Sequence, residues 1–170
     1  TSLDNESHKS SGHFDVELSK LGISQAKELG ERYANDHFDA IFCSDLQRSY
    51  KTAELAFNGR YKIIRDPRLR ECDYGDYTRR SSDEVDAEKA NRISQTFPNG
   101  ESYEQAADRM RSFLEYLLDQ YKNKRIMIIG HRATQYGLEH WINGVSLEEV
   151  ISTHWKWQPG WTYELSELQK

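Results

Sequence analysis

Residues 125–135 read "RIMIIGHRATQ", and this stretch decides the fold. Four apolar residues, Ile126 to Ile129, form a short continuous run that suits a strand covered on both faces, as in a parallel sheet. Gly130, His131 and Arg132 end it, and helix-forming residues follow. A histidine and an arginine at a strand end have two readings: a surface loop in water, or an anion site where a strand gives way to a helix.

Working outward, similar strand-like runs occupy 38–44 ("FDAIFCS"), 61–66 ("YKIIRD") and 161–166 ("WTYELS"). Helical patterns separate them. "LSKLGISQAKELGERYA" is one, and "SDLQRSYKTAELAF" is another, with Ser44 and Gln47 at capping-box spacing. "ESYEQAADRMRSFLEYLLDQY" repeats that spacing with Ser102 and Gln105. It aligns Ala106, Met110, Phe113, Leu114, Leu117 and Tyr121 on one face. "ATQYGLEHWI" is stopped by Asn143-Gly144. Alternating strands and helices predict an α/β fold with three layers, a mainly parallel sheet with helices on both faces. Residues 77–100 are the least regular. They read as an exposed excursion or as part of a lid.

A chain of 170 residues suits one domain with one core. Apolar residues are 36% and charged ones 30%, but 12% aromatic content argues against disorder. The net charge of −5 disfavours nucleic acid or an anionic membrane as a partner of the whole surface, while leaving room for a local basic pocket. Two cysteines, Cys43 and Cys72, do not make a disulfide framework, which points to a reducing cytoplasm. No apolar run reaches the length of a membrane span, and no signal peptide is visible. Trp141, Trp155, Trp157 and Trp161 cluster late. Core packing or a subunit contact, as in a homodimer, ranks ahead of a stacking platform.

Charges gather at the strand ends. Arg48 lies in the first turn after "IFCS", where a cation faces the positive end of the helix dipole. Alone it reads as solvent-facing or paired with Asp45. His131 and Arg132 repeat the arrangement, and two such junctions strengthen the case for an anion site. "RDPRLRECDYGDY" adds Glu71 between Pro67 and Gly75, flanked by Arg68 and Arg70. It reads as a solvated carboxylate or as a general acid within reach of a leaving oxygen. Arg79 and Arg80 read as loop charges, or as a grip on a substrate carboxylate.

In this order the segments resemble the histidine phosphatase superfamily, also called the phosphoglycerate mutase-like family. "TSLDNE" is similar to the stretch after the family's Arg-His-Gly motif, with Asn5 at its phosphate-contacting asparagine. "SSGHFDVELSKLGISQA" resembles "TG…D…LT..G..QA", which brings in Ser11 and Gly12. "SDLQRSYKTAE" resembles "S.L.R...TA" and carries Arg48 over as a phosphate ligand. "RLRECDYGDY" maps Glu71 onto the acid/base, and "IIGHRATQYGL" maps His131 onto the second histidine. Arg132 stands where many members carry glycine, so a phosphate or substrate contact and an outward orientation both remain open.

The resemblance implies phosphomonoester hydrolysis through a phosphohistidine, on a small phosphorylated metabolite, with no metal and no cofactor. A cofactor-dependent phosphoglycerate mutase and a non-catalytic phospholigand-binding module are the alternatives. The short insertion between Glu71 and His131 favours the phosphatase. The family's Arg-His pair is absent from the 170 residues, and Thr1 falls just after its place. The nucleophile and one arginine are therefore expected upstream of Thr1, on a first strand. Without that strand poor folding is expected, because its neighbours would lie unpaired. His8 and His13 lack the strand context of the nucleophile. His37, His140 and His154 read as structural or exposed.

Overall fold

The computed structural model describes residues 1–57, 59–154, 156 and 158–169. Three short strands, β1 (Ala40–Cys43), β2 (Ile63–Arg65) and β3 (Ile126–Ile129), form a parallel sheet in the order β2-β1-β3. Side chains alternate across it. Ile63, Ile41 and Met127 share one row, while Ile64, Phe42 and Ile128 share the next on the opposite face. The central strand is wholly buried, which is why it reads as a continuous apolar run.

Helices cover both faces. The first row packs with Leu29 of α2 (Lys20–Arg32) and with Ala53, Ala56 and Phe57 of α3 (Gln47–Phe57). The helix α1 (Leu3–Glu6) precedes both in the chain. Behind the second row lie Met110, Phe113, Leu114 and Leu117, with Tyr121 at the end of their helix, along with Leu138, Trp141 and Ile142. These belong to α5 (Tyr103–Gln120) and α6 (Arg132–Asn143); α4 (Ser82–Glu88) comes before them and α7 (Leu147–Ser152) after. Each fully buried side chain such as Phe42, Phe57 or Phe113 contributes ~1.5–3 kcal/mol. The three-layer α/β fold expected from the sequence is the fold observed.

Local signals held in part. Ser102 and Gln105 form the expected capping box, and Gly144 ends α6 in the left-handed region at φ 71°. Ser44, however, does not cap α3 by the expected box. The Gln47 N–H donates instead to Asp15 Oδ1 at 2.7 Å, leaving the Ser44 hydroxyl for another partner. The strand expected over 161–166 is absent: the segment is irregular. A strand needs a neighbour's N–H and C=O groups, and no ladder reaches this segment among the described residues. Leu165 packs behind the second row of the sheet instead. Trp141 is a packing residue, its Nε1 donating to the Ala107 carbonyl at 2.7 Å. Trp155 and Trp157 lie outside the described residues.

The irregular insertion is built rather than loose. Ser81 and Glu84 form a capping box that starts α4, a 3-10 turn spans Lys89–Arg92, and Val85 and Phe97 are fully buried. Among the described residues, no helix is long and apolar enough to cross a membrane.

Candidate active site

The carboxyl ends of all three strands point to one region, as expected for a ligand site in an open parallel sheet. A cavity of about 1570 Å³ opens there and continues along the edge of β3 that faces away from β1, past Tyr163, Leu165 and Leu168. Asn5, Ser11, Gly12, Arg48, Glu71, His131 and Arg132 all border it. The seven residues singled out in the sequence thus share one cavity.

Arg48 turns inward. Its Nη2 donates to the Gly12 carbonyl at 2.7 Å and its Nη1 to that of Phe14 at 3.0 Å. Gly12 takes φ +52°, a conformation side-chain-bearing residues rarely adopt, and so turns its carbonyl onto the guanidinium. Asp45 does not pair with Arg48: it holds Arg70 through two bonds of 2.6 and 2.7 Å. Burial lowers the pKa of Arg48, and the Glu71 carboxylate is the largest opposing influence.

His131 ends β3 with its N–H donated to Thr134 Oγ1 at 2.9 Å. Nε2 lies 2.6 Å from the Ser44 hydroxyl, itself fully buried at the end of β1. Burial first, and then the charge of Arg48, holds the imidazole well below its ordinary pKa, so it is neutral. One ring nitrogen is then a donor and the other an acceptor, and the Ser44 hydroxyl can serve either.

Glu71 is not a solvated carboxylate. Oε1 accepts from the N–H groups of Cys72 at 2.9 Å and Ala133 at 3.1 Å, and Oε2 from that of Arg132 at 3.3 Å. The first turn of α6 therefore presents its N–H groups to this carboxylate, the sign of charge that a helix N-terminus favours. Arg68 takes no part, since it is bound by Asp66.

The remaining candidates differ in surroundings. Asn5 is exposed, and its Oδ1 accepts from the N–H and hydroxyl of Ser2. The buried Ser11 donates to Asp4 Oδ2 at 3.1 Å, and Arg79 clasps the same carboxylate. Arg80 lies over the Tyr77 ring, and neither Arg79 nor Arg80 borders the cavity. Of the six histidines, only His131 borders it. His13 is turned to the back of the Glu71 loop, 2.8 Å from the Glu71 carbonyl and beside Asp73 and Glu101.

Two residues without a sequence signal shape the site. Ser44 was read as a cap, not as the partner of His131. Arg109 donates to the carbonyls of Arg68, Arg70 and Glu71 at 2.8–2.9 Å while Glu101 holds its other edge. Its only trace in the sequence is a guanidinium next to Met110 on the buried face of α5. Among the described residues no cluster of three or more potential metal-binding side chains occurs.

Residues 1–163 match the histidine phosphatase superfamily (branch 1). The chain belongs to this superfamily. It is 33% identical over 139 residues to phosphoglycerate mutase-like protein 4 of Arabidopsis thaliana, covering 75% of this chain and 60% of that protein. Phosphoserine phosphatase 1 of Hydrogenobacter thermophilus is 28% identical over 152 residues, 83% of this chain and 71% of the relative. Among solved structures, Bacillus stearothermophilus YhfR superposes with a TM-score of 0.81 over 98% of this chain and 91% of its own, at 22% identity. That likeness is one of fold.

Proposed function

We propose that the protein is a phosphomonoesterase of small phosphorylated metabolites, acting in the cytoplasm through a phosphohistidine. The observation that carries this reading is that the Glu71 carboxylate accepts from the N–H groups of Arg132 and Ala133 next to His131, with Arg48 near enough to act electrostatically on both Glu71 and His131 at the strand ends. Arg48 supplies a half-buried positive charge to the phosphoryl oxygens, and neutral His131 supplies a ring N–H whose orientation Ser44 sets. Glu71 enters the cycle as the carboxylic acid and protonates the leaving oxygen; the resulting carboxylate, held by the N–H groups of Arg132 and Ala133, then accepts a proton from water. Names among the relatives, a phosphoserine phosphatase and a phosphoglycerate mutase-like protein, support phosphoryl chemistry without naming this chain's substrate.

By resemblance to the family, the nucleophile in this reading is a histidine of its Arg-His motif, and His131 is the second, stabilising histidine held by Ser44. The apolar edge of β3 that faces the cavity suits a further parallel strand, which would bring such a histidine beside His131. Its ring nitrogen attacks phosphorus as the ester P–O bond breaks, and the leaving alkoxide takes the Glu71 proton. Water then attacks phosphorus, the P–N bond breaks, and the water's proton passes to Glu71. The cationic pocket neutralises the phosphoryl charge without a metal.

The test is phosphate release by the full-length protein from a panel of small esters. Release from several esters without isomerisation of 3-phosphoglycerate is expected. Cofactor-dependent isomerisation would assign mutase chemistry instead, and phosphate binding without turnover would assign a binding module.

A further inference from the structure

His13 does not border the cavity, but the loop that carries it, between α1 and α2, already serves the site through its backbone. The carbonyls of Gly12 and Phe14 hold Arg48. The side chain between them turns to the Glu71 loop, where Nε2 lies 2.8 Å from the Glu71 carbonyl. A carbonyl oxygen only accepts, so Nε2 carries the proton. Asp73 Oδ2 lies 3.6 Å from Nδ1 and Glu101 Oε2 3.8 Å from Nε2, and these two carboxylates flank the ring. Arg109 donates to the same Glu71 carbonyl at 2.8 Å, so two donors from separate elements fix the direction of that oxygen.

The Glu71 carbonyl and the Cys72 N–H belong to one peptide group, which is planar and trans. They point in opposite directions, and whatever aims one aims the other. The Cys72 N–H donates to Glu71 Oε1 at 2.9 Å. One peptide thus carries His13 and Arg109 on its carbonyl side and the carboxylate of Glu71 on its N–H side. A hydrogen bond at the carbonyl also polarises the peptide and strengthens its N–H as a donor. Arg109 grips the carbonyls of Arg68 and Arg70 as well, whereas the hydrogen bond of His13 is confined to this one peptide.

We infer that His13 is a positioning residue for the Glu71 carboxyl group, acting through the Glu71–Cys72 peptide without touching substrate. The inference rests on the phosphatase reading above, in which Glu71 is the proton donor. One loop then serves both ends of the reaction. Its carbonyls hold the cation that meets the phosphoryl group, and its histidine aims the acid at the leaving oxygen.

The test compares kcat/KM of the full-length protein on an alkyl phosphate, whose leaving group needs the proton, and on p-nitrophenyl phosphate, whose leaving group does not. His13→Phe keeps a ring and removes the donor, whereas His13→Gln keeps an N–H donor. In His13→Phe the alkyl-to-aryl ratio should fall ~10-fold, a fraction of the effect of losing the acid itself. His13→Gln should restore most of it. On a Glu71→Gln background, His13→Phe should leave the ratio where it is, because residues that act through one carboxyl group are not additive. A ratio unmoved in His13→Phe would overturn the role, and so would a further fall on the Glu71→Gln background. If His13→Phe does not fold, His13→Gln decides: a ratio near that of the wild type upholds the role, and one well below it overturns it. Hydrolysis of neither ester by the wild type would overturn the phosphatase reading itself, and the role of His13 with it.

Discussion

The Ser44 hydroxyl and Nε2 of His131 lie 2.6 Å apart, joining the end of β1 to the end of β3 across 87 residues of chain. The bond fixes the ring of the histidine that faces the cavity. In Ser44→Ala, Nε2 loses this partner and the ring its orientation. We expect ~1 kcal/mol loss of stability by urea unfolding, and a fall in kcat/KM of ~10-fold or more. Unchanged kinetics would mean that ring orientation is set elsewhere.

Acid sensitivity follows from the neutral state of His131. The unfolded chain takes up a proton near the ordinary imidazole value of 6.5, whereas the folded site resists it. Between the depressed folded value and 6.5 the unfolded state holds more protons. Stability is therefore complete above that window and falls as pH drops through it, by at most ~1.4 kcal/mol per pH unit for this group. In His131→Gln the urea midpoint should vary less between neutral pH and the acid side of this window. Identical pH profiles for the two proteins would refute the assignment.

Arg109 ties the backbone of the Glu71 loop to α5. Arg109→Met removes donors from three carbonyls and leaves Glu101 partly buried without its cation. A loss of ~3 kcal/mol is expected, the scale of breaking one side of a buried pair. Glu101→Gln in the same chain should recover part of it, because the stranded charge disappears. Equal unfolding midpoints for wild type and Arg109→Met would contradict the clamp.

Gly130 sits against Thr134: a Cβ there would approach Thr134 Cβ to 2.7 Å. Gly130→Ala should push apart the junction that sets His131, costing ~1–3 kcal/mol as an overpacked site. Thermal unfolding monitored by circular dichroism reads the cost directly.

What could be read from the sequence follows a physical division. Continuous apolar runs mark strands of a parallel sheet, so 38–44 and 125–131 announced β1 and β3 without a partner in view, although only the central β1 is wholly buried and the edge strand β3 is half-buried. Residues 161–166 have similar composition, but a strand is a relation between two segments, and its partner is not visible in composition. Arg48, Glu71 and His131 stood out because charge at a strand end is unusual. Ser44 was misread because a serine before a helix usually caps it; here Asp15, from a distant loop, took that place. Arg109 left little trace, since its partners are mainly carbonyls, which every residue carries.

The central claim is that Glu71 hands a proton to the leaving group of a phosphoryl transfer. It is tested most directly by comparing wild type and Glu71→Gln on an alkyl phosphate and on p-nitrophenyl phosphate. The alkyl ester needs the proton, so its kcat/KM should fall ~100-fold or more, while the activated ester, whose leaving group departs without help, should lose far less. Equal losses on both esters would contradict the acid role.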